Sequence, residues 1–247
     1  MKRYVILGII LIVLIWQLIV SVGFFSQLVL PSPSKVAVAL YTFVTSVKSL
    51  SDLGITTFRF FVSFLISSGL GVIIGVIISR FPRIGSVLSF PLDFFRSLPA
   101  PALFPIFMLF LGISDIARIS LVIFSSALIV AVYTNHGIQN CHQIKIRAAK
   151  AAGIRGYSLL SNVILREAKP EIATGLRISL SVTLILIVVL EMLAGSTTGL
   201  GKRIIDDHML FRTTDMYASI IIVGFLGYLL NRLFLLWHRR YVHSAGK

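Results

Sequence analysis

The chain has 247 residues, of which 57% are hydrophobic and only 13% charged, with a formal net charge of +14; its mean hydropathy is +0.96. Soluble domains carry about 25% charged and about 45–50% apolar residues, so a water-soluble globule is excluded and an all-α integral membrane protein is expected. The apolar runs are continuous rather than alternating, which excludes a β-barrel and leaves helices as the spanning elements.

Six spans are predicted, at 4–25, 58–79, 88–112, 116–134, 176–195 and 217–237. Each has about 20 residues, enough at ~1.5 Å rise to cross a ~30 Å hydrocarbon core. Residues 1–25 form the first: Lys2 and Arg3 precede an apolar run to Val22. That run is longer than a signal-peptide core, and Gly23-Phe24-Phe25-Ser26 is a poor cleavage site, so the span is expected to stay uncleaved. An outer segment, 26–57, follows. In it Leu30-Pro31-Ser32-Pro33 makes a rigid turn, and Ser34 to Val47 has helical apolar spacing suited to the membrane surface.

The core domain is expected over 58–237. In its first span Gly71-x-x-x-Gly75 allows close helix packing. The next contains Pro91, Pro99, Pro101 and Pro105. Proline removes a helical hydrogen bond, and irregular backbone at membrane depth needs protein or a water-filled cavity over it. Two readings fit: a kinked helix beside a translocation pathway, with Pro99 and Pro105 as candidates, or an interfacial entry loop with one kink at Pro105. Arg96 reads as a snorkelling residue near the inner end that pairs with Asp93; Arg59, Arg177 and Arg232 read as anchors at span edges.

From Tyr133 to Leu176 the apolar pattern is interrupted by a polar, basic, alanine-rich stretch, taken as a cytosolic loop over 135–175. Ala and Leu favour helix, so two short helices hinged at Gly153 are expected, lying against something in the cytosol. Further on, Glu191 sits inside an apolar run. A buried ionisable group is costly in lipid, so it either faces the bundle interior, in a pathway or a structural pair, or reaches the interface four residues away. The segment from Gly195 to Arg203 is not a phosphate-binding loop: Ser196 stands at the first Gly position, and Arg203 at the final hydroxyl position. A tail, 238–247, completes the chain.

Lysine and arginine set the orientation. With the N-terminus inside, the inner segments hold Lys2, Arg3, Arg80, Arg83, the basic residues from Lys145 to Lys169, and Arg239, Arg240 and Lys247; the outer cations are balanced by Asp115, Asp206, Asp207 and Asp215. Both termini are therefore expected in the cytosol. The positive charge follows from topology and not from a nucleic-acid-binding domain. Cys141 is the single cysteine, so no intramolecular disulfide forms. No metal-ligand spacing, cofactor motif or catalytic set is present, and His136 and His142 read as ordinary loop residues.

The segment Arg147-Ala148-Ala149-x-x-x-Gly153, with its amphipathic continuation through Leu165, resembles the "EAA" loop of ABC-importer permeases. Leu30-Pro31-Ser32-Pro33, Arg96-Ser97-Leu98-Pro99, Pro105, Leu111-Gly112-Ile113, Gly175-Leu176-Arg177, Val188 to Met192 and Gly199-Leu200-Gly201 are similar to landmarks of the same family, in order. The subgroup they most resemble imports nitrate, sulfonates, taurine, bicarbonate and related small solutes. The resemblance implies a type I importer permease in a bacterial cytoplasmic membrane. A second permease copy, identical or different, completes the pathway; two cytosolic ATPases hydrolyse ATP, and an extracytoplasmic binding protein delivers the solute. It also implies that Arg147, Ala148, Ala149, Gly153, Leu165 and Pro170 form the ATPase-coupling element. This chain departs from the family pattern at several positions. Arg147 replaces the leading Glu, His142-Gln143 an Asp-Pro, Tyr133 an Asn, and Arg166 a Pro.

Overall fold

A computed structural model describes residues 2–193 and 195–242, which are helical with no strand among them. Its helices are α1 (Lys2–Val22), α2 (Pro33–Thr45), α3 (Val47–Arg80), α4 (Pro82–Ser97), α5 (Phe104–Leu111), α6 (Asp115–Gln139), α7 (Gln143–Ala151), α8 (Gly156–Leu159), α9 (Leu165–Met192), α10 (Leu200–Met209) and α11 (Thr213–Val242). A 3-10 turn, Ala100–Leu103, precedes α5, and a π-helical turn, Leu160–Ile164, joins α8 to α9. Four helices are long and apolar enough to cross a membrane: Val47–Arg80, Asp115–Gln139, Gly156–Met192 and Thr213–His238. The pair Pro82–Ser97 and Ala100–Leu111 is apolar enough only when taken together, as a broken span or a re-entrant loop, and Ile6–Val22 is a shorter apolar helix. The expected tail residues 243–247 lie outside the described residues, as does Ala194.

Three expectations change. The second span is part of a 34-residue helix that starts at Val47, well before the expected 58. Hydropathy marks the part of a helix that matches lipid, and the polar residues Ser49, Asp52 and Thr56 continue the same helix outside that part. The fifth span is likewise the C-terminal part of a longer helical run, Gly156–Met192, and Pro170 lies inside α9. The third is two arms bent by 99°. Pro91 is within α4, Pro99 precedes the 3-10 turn with φ −62° and ψ 112°, and Pro105 occupies the first turn of α5. There its missing N–H costs nothing, so Pro105 starts a helix instead of kinking one.

The chain divides into two compact units. The first comprises Met1–Thr57 and Glu191–Leu226. Ser32 caps α2 by accepting from the Lys35 N–H at 3.5 Å, and Pro33 opens its first turn. The helical spacing read from Ser34 onward buries Val36, Ala39 and Phe43 on one side. α1 keeps most apolar residues exposed, as a lipid-facing helix does, and is tied down at Trp16. The Trp16 Nε1 donates to the Pro31 carbonyl at 3.1 Å, and its ring lies 6.0 Å from that of Tyr217.

The second unit comprises Phe58–Leu190 and Gly227–Lys247. Between lipid-facing helices apolar burial gains little, so close packing and interhelical hydrogen bonds hold the bundle. Gly71 and Gly75 supply the closest approach. A Cβ on Gly71 would lie 2.5 Å from Val130 Cβ, and one on Gly75 would lie 2.5 Å from Thr134 Cβ. The GxxxG spacing is thus the seam between α3 and α6. α6 meets α9 in the same way, with Gly175 against Tyr133 and Gly137 against Glu171. Ser126 and Thr183, both fully buried, share a hydrogen bond of 2.9 Å across that seam. The apolar core gathers Phe104, Leu121, Val122, Ile187 and Leu190. Arg59 is not a snorkelling anchor: it is buried and donates to both Asp115 oxygens at 2.8 and 3.0 Å.

Candidate functional site

α7 ends in a Schellman motif, which explains why the chain reverses where it does. The Ile154 N–H donates to the Ala149 carbonyl at 3.0 Å and the Gly153 N–H to the Lys150 carbonyl at 3.1 Å. Gly153 has φ +82° and Gly156 φ +58°, a left-handed backbone that glycine adopts without Cβ strain. The expected hinge is therefore a helix stop, followed by the single turn α8 and the π-helical turn. Arg147, Ala148 and Ala149 lie on α7; Gly153 terminates it; Leu165 opens α9, and Pro170 lies a turn further along α9. The first four share one hairpin, whereas Leu165 and Pro170 belong to its rigid support.

Two contacts fasten the base of the hairpin, and the sequence reading assigned neither. Lys145 Nζ donates to both Glu167 oxygens at 2.8 and 2.6 Å, tying the first turn of α7 to α9. The buried Cys141 thiol lies 3.4 Å from the carbonyls of Gly137 and of Ile164. Burial, then the Glu167 charge, pushes this thiol's pKa up, partly countered by Lys145, so it remains a neutral donor. The opposite charges of Lys145 and Glu167 on either side of the hairpin were the available signal.

Despite this support, α7 has no buried residue. Ile144 is 81% exposed and Tyr157, at the start of α8, 82%. Arg147 and Lys150 make no hydrogen bond or ion pair among the described residues. The hairpin is thus a polar, projecting surface with exposed Ile144 and Tyr157 and uncommitted cations at Arg147 and Lys150. Such a surface suits a soluble partner with complementary charge.

Glu191 belongs to a different arrangement, within the first unit. Its side chain is fully buried, so it does not reach an interface. Thr56 Oγ1 donates to both carboxylate oxygens, at 3.0 and 2.9 Å, and accepts from the Leu200 N–H at 2.8 Å. The Gly201 N–H donates to Glu191 Oε2 at 3.0 Å, and the Gly199 N–H to Asp52 Oδ1 at 2.9 Å. Two carboxylates and a hydroxyl thereby satisfy the first N–H groups of α10, where the helix dipole favours negative charge. Gly199, at φ +115°, lets the backbone lie directly against the carboxylate; a Cβ there would sit 2.5 Å from Glu191 Cδ. The glycine-rich segment that imitates a nucleotide loop is in fact the seat of this carboxylate. Pro99 and Pro105 flank the break in the third span and belong to neither the hairpin nor the Glu191 seat.

The profile of the family described as "Binding-protein-dependent transport system inner membrane component" matches residues 67–245. The chain belongs to this family. Among the permease's relatives is a protein of Escherichia coli named for aliphatic sulfonates transport, SsuC, 32% identical over 238 residues, covering 93% of this chain and 90% of that one. The SsuC of Bacillus subtilis is 30% identical over 237 residues, covering 93% and 86%. The taurine transport system permease TauC of Escherichia coli is 27% identical over 223 residues, covering 88% and 80%. Among solved structures, an inward-facing MetNI methionine ABC transporter chain superposes with a TM-score of 0.67 at 20% identity, covering 78% of this chain and 93% of that one. A chain of an amino acid ABC transporter gives 0.60, covering 77% and 92%. The permease is therefore a multi-pass inner-membrane subunit of an ATP-binding-cassette importer with the type I fold. Membership implies ATPase and solute-binding-protein partners.

Proposed function

We propose that the α7–Gly153–α8 hairpin is the element through which this permease is driven by a cytosolic ATPase. The observation that carries the reading is the lack of any buried residue on α7, a helix that is nonetheless fixed at both ends. A nine-residue helix is too short to be stable through its own propensity. Its form therefore serves a surface that something else covers. Ala148, Ala149, Ala151 and Ala152 keep it thin enough to enter a groove. Arg147 cannot accept the hydrogen bonds that a Glu accepts, so its partner groove presents an acceptor. Leu165 and Pro170, in the helix behind it, transmit the thrust into the fifth span. Closure of two ATPases on ATP then rocks two permease copies between inward and outward access.

This reading places the hairpin and both termini in the cytosol, and a binding protein on the opposite face. The pathway runs beside the break flanked by Pro99 and Pro105, and Glu191 contributes by holding α10 in place. The cargo is a small anion or organic solute of the sulfonate, taurine, nitrate or bicarbonate kind, as the names of SsuC and TauC suggest. The test is co-expression with the candidate ATPase and affinity capture of the complex, using Gly153→Asp as the variant. Wild type is expected to retain the ATPase and drive ATP-dependent uptake, and Gly153→Asp to lose both. Equal capture by the variant would refute the docking role.

A further inference from the structure

The second unit carries a cavity of about 480 Å³ at the root of the hairpin, between the end of α3 and the turns that follow α7. Arg80 borders it from α3, Ile146 and Lys150 from α7, Arg155 from the turn before α8, and Leu159 and Ile164 from α8 and the π-helical turn. Three cations thus share one space, and no carboxylate lines it. Lys145 is neutralised by Glu167, but Arg80, Lys150 and Arg155 make no side-chain hydrogen bond or ion pair among the described residues. An anion between them relieves their mutual repulsion.

The height of the cavity follows from the helix seams. Ser79, next to Arg80, donates to Asn135 Oδ1 at 2.6 Å, and Gly137 packs on Ala168 and Glu171. Arg80 therefore stands level with the end of α6 and the first turns of α9, where the apolar runs of α3 and α6 stop. That is headgroup depth, and all three cations are exposed, as a site filled from the membrane surface requires. On the membrane side of Arg80, Ile77 and Ile73 follow at helical spacing on the same face of α3, 40% and 56% exposed. The cationic cavity thus continues into an apolar track. The hairpin also has a second face. Ile146 and Lys150 lie one turn apart, whereas Ile144, Arg147 and Ala151 are outside the lining and share a face turned roughly 100° away. An ATPase on that face leaves the root of the hairpin open.

Charge, depth and apolar continuation fit one class of molecule. We propose that this cavity binds an anionic phospholipid of the adjoining leaflet, with its phosphodiester among Arg80, Lys150 and Arg155 and an acyl chain along Ile77 and Ile73. The bound lipid ties the end of α3 to the hairpin. A soluble phosphate satisfies the cations but leaves Leu159, Ile164 and the track on α3 uncovered. A zwitterionic lipid brings an ammonium group that no carboxylate in the lining receives. The proposal goes beyond the coupling reading and does not depend on it.

The test is native mass spectrometry of the full chain in detergent, titrated with dioleoyl phosphatidylglycerol or dioleoyl phosphatidylcholine. Wild type should bind one phosphatidylglycerol about tenfold or more tightly than phosphatidylcholine. Each basic residue beside an anionic headgroup is worth about a fivefold factor, so Arg80→Gln, Lys150→Gln and Arg155→Gln should each weaken phosphatidylglycerol by about that much. The triple variant should bind the two lipids alike. A control triple, Arg83→Gln with Arg147→Gln and Lys169→Gln, removes the same charge from exposed positions outside the lining and should keep the preference. All variants are compared as monodisperse protein on size exclusion. Millimolar glycerophosphoglycerol, the headgroup without its chains, should not displace the lipid. Four results would overturn the proposal: no preference in wild type, equal losses in the two triples, displacement by the chain-free headgroup, or a cavity triple that changes oligomeric state yet keeps the preference. Lipid binding is read without the ATPase, so a failure of the coupling reading shows separately, as loss of capture with the lipid preference intact.

Discussion

Two glycines with positive φ make a matched pair for one substitution. Gly153 has φ +82° with open space where a Cβ would point; Gly199 has φ +115° with the Glu191 carboxylate 2.5 Å from that point. With ψ 164°, Gly199 lies in a region of backbone space essentially reserved for glycine, whereas Gly153 terminates a helix in the ordinary left-handed manner. Gly153→Ala therefore costs only the left-handed penalty, about 1–2 kcal/mol. Gly199→Ala adds about 1–3 kcal/mol of backbone strain to about 1–3 kcal/mol of overpacking, a total of roughly 2–6 kcal/mol. At roughly 2–4 °C per kcal/mol for a chain of this size, Gly199→Ala should lower the apparent Tm by about 5 °C or more, and by more than Gly153→Ala does. Fluorescence-detected size exclusion after heating in detergent measures this. If Gly199→Ala melts with or above Gly153→Ala, the carboxylate does not lie against that glycine and the described seat is wrong.

Two further outcomes follow from the packing and the charges. Gly75→Leu should prevent α3 from reaching α6, because even a Cβ at this position would meet Thr134 Cβ at 2.5 Å; loss of the monodisperse peak is expected, while Gly69→Leu, with nothing within 4 Å of its added Cβ, should be tolerated. Burial, the largest cause, raises the Asp207 carboxyl pKa above its ordinary value of 3.8; Arg203 and Arg212 oppose the rise, and Asp215 and Asp206 add to it. The folded state then holds this proton more tightly than the unfolded state does. The stabilisation from this residue is complete below about 3.8 and is lost as pH rises through the raised native value. Melting temperatures at pH 4 and pH 7 should therefore show Asp207→Asn gaining on wild type as pH rises; a relative loss would reverse the sign of the argument.

Local patterns carried much of this fold into the sequence. The apolar runs located the membrane helices, the Gly71–Gly75 spacing located a helix seam, and the alanine-rich stretch ending in Gly153 located the hairpin. Elements whose form depends on distant partners were less legible. Nothing near Pro105 distinguishes a kink from a helix start, since that depends on where α4 stops. Arg59 read as a surface anchor, because span-edge position in a sequence does not reveal whether a neighbouring helix encloses the side chain, whereas the expected pairing of Arg96 with Asp93 needs only its own helix and is present. Glu191 was visible as an anomaly, yet its seat on Gly199 and Gly201 depends on Thr56, 135 positions away. The contacts of Lys145, Glu167 and Cys141 were not legible, because ion pairing and burial at the hairpin base arise only once α6, α7 and α9 converge.

The coupling role of the hairpin is tested most directly by amide hydrogen exchange of the solubilised permease with and without its ATPase. Exchange from Gln143 through Gly156 should slow when the ATPase is bound, and exchange in the α3–α6 seam should stay unchanged. A stable complex that leaves α7 exchanging at its free rate would contradict it.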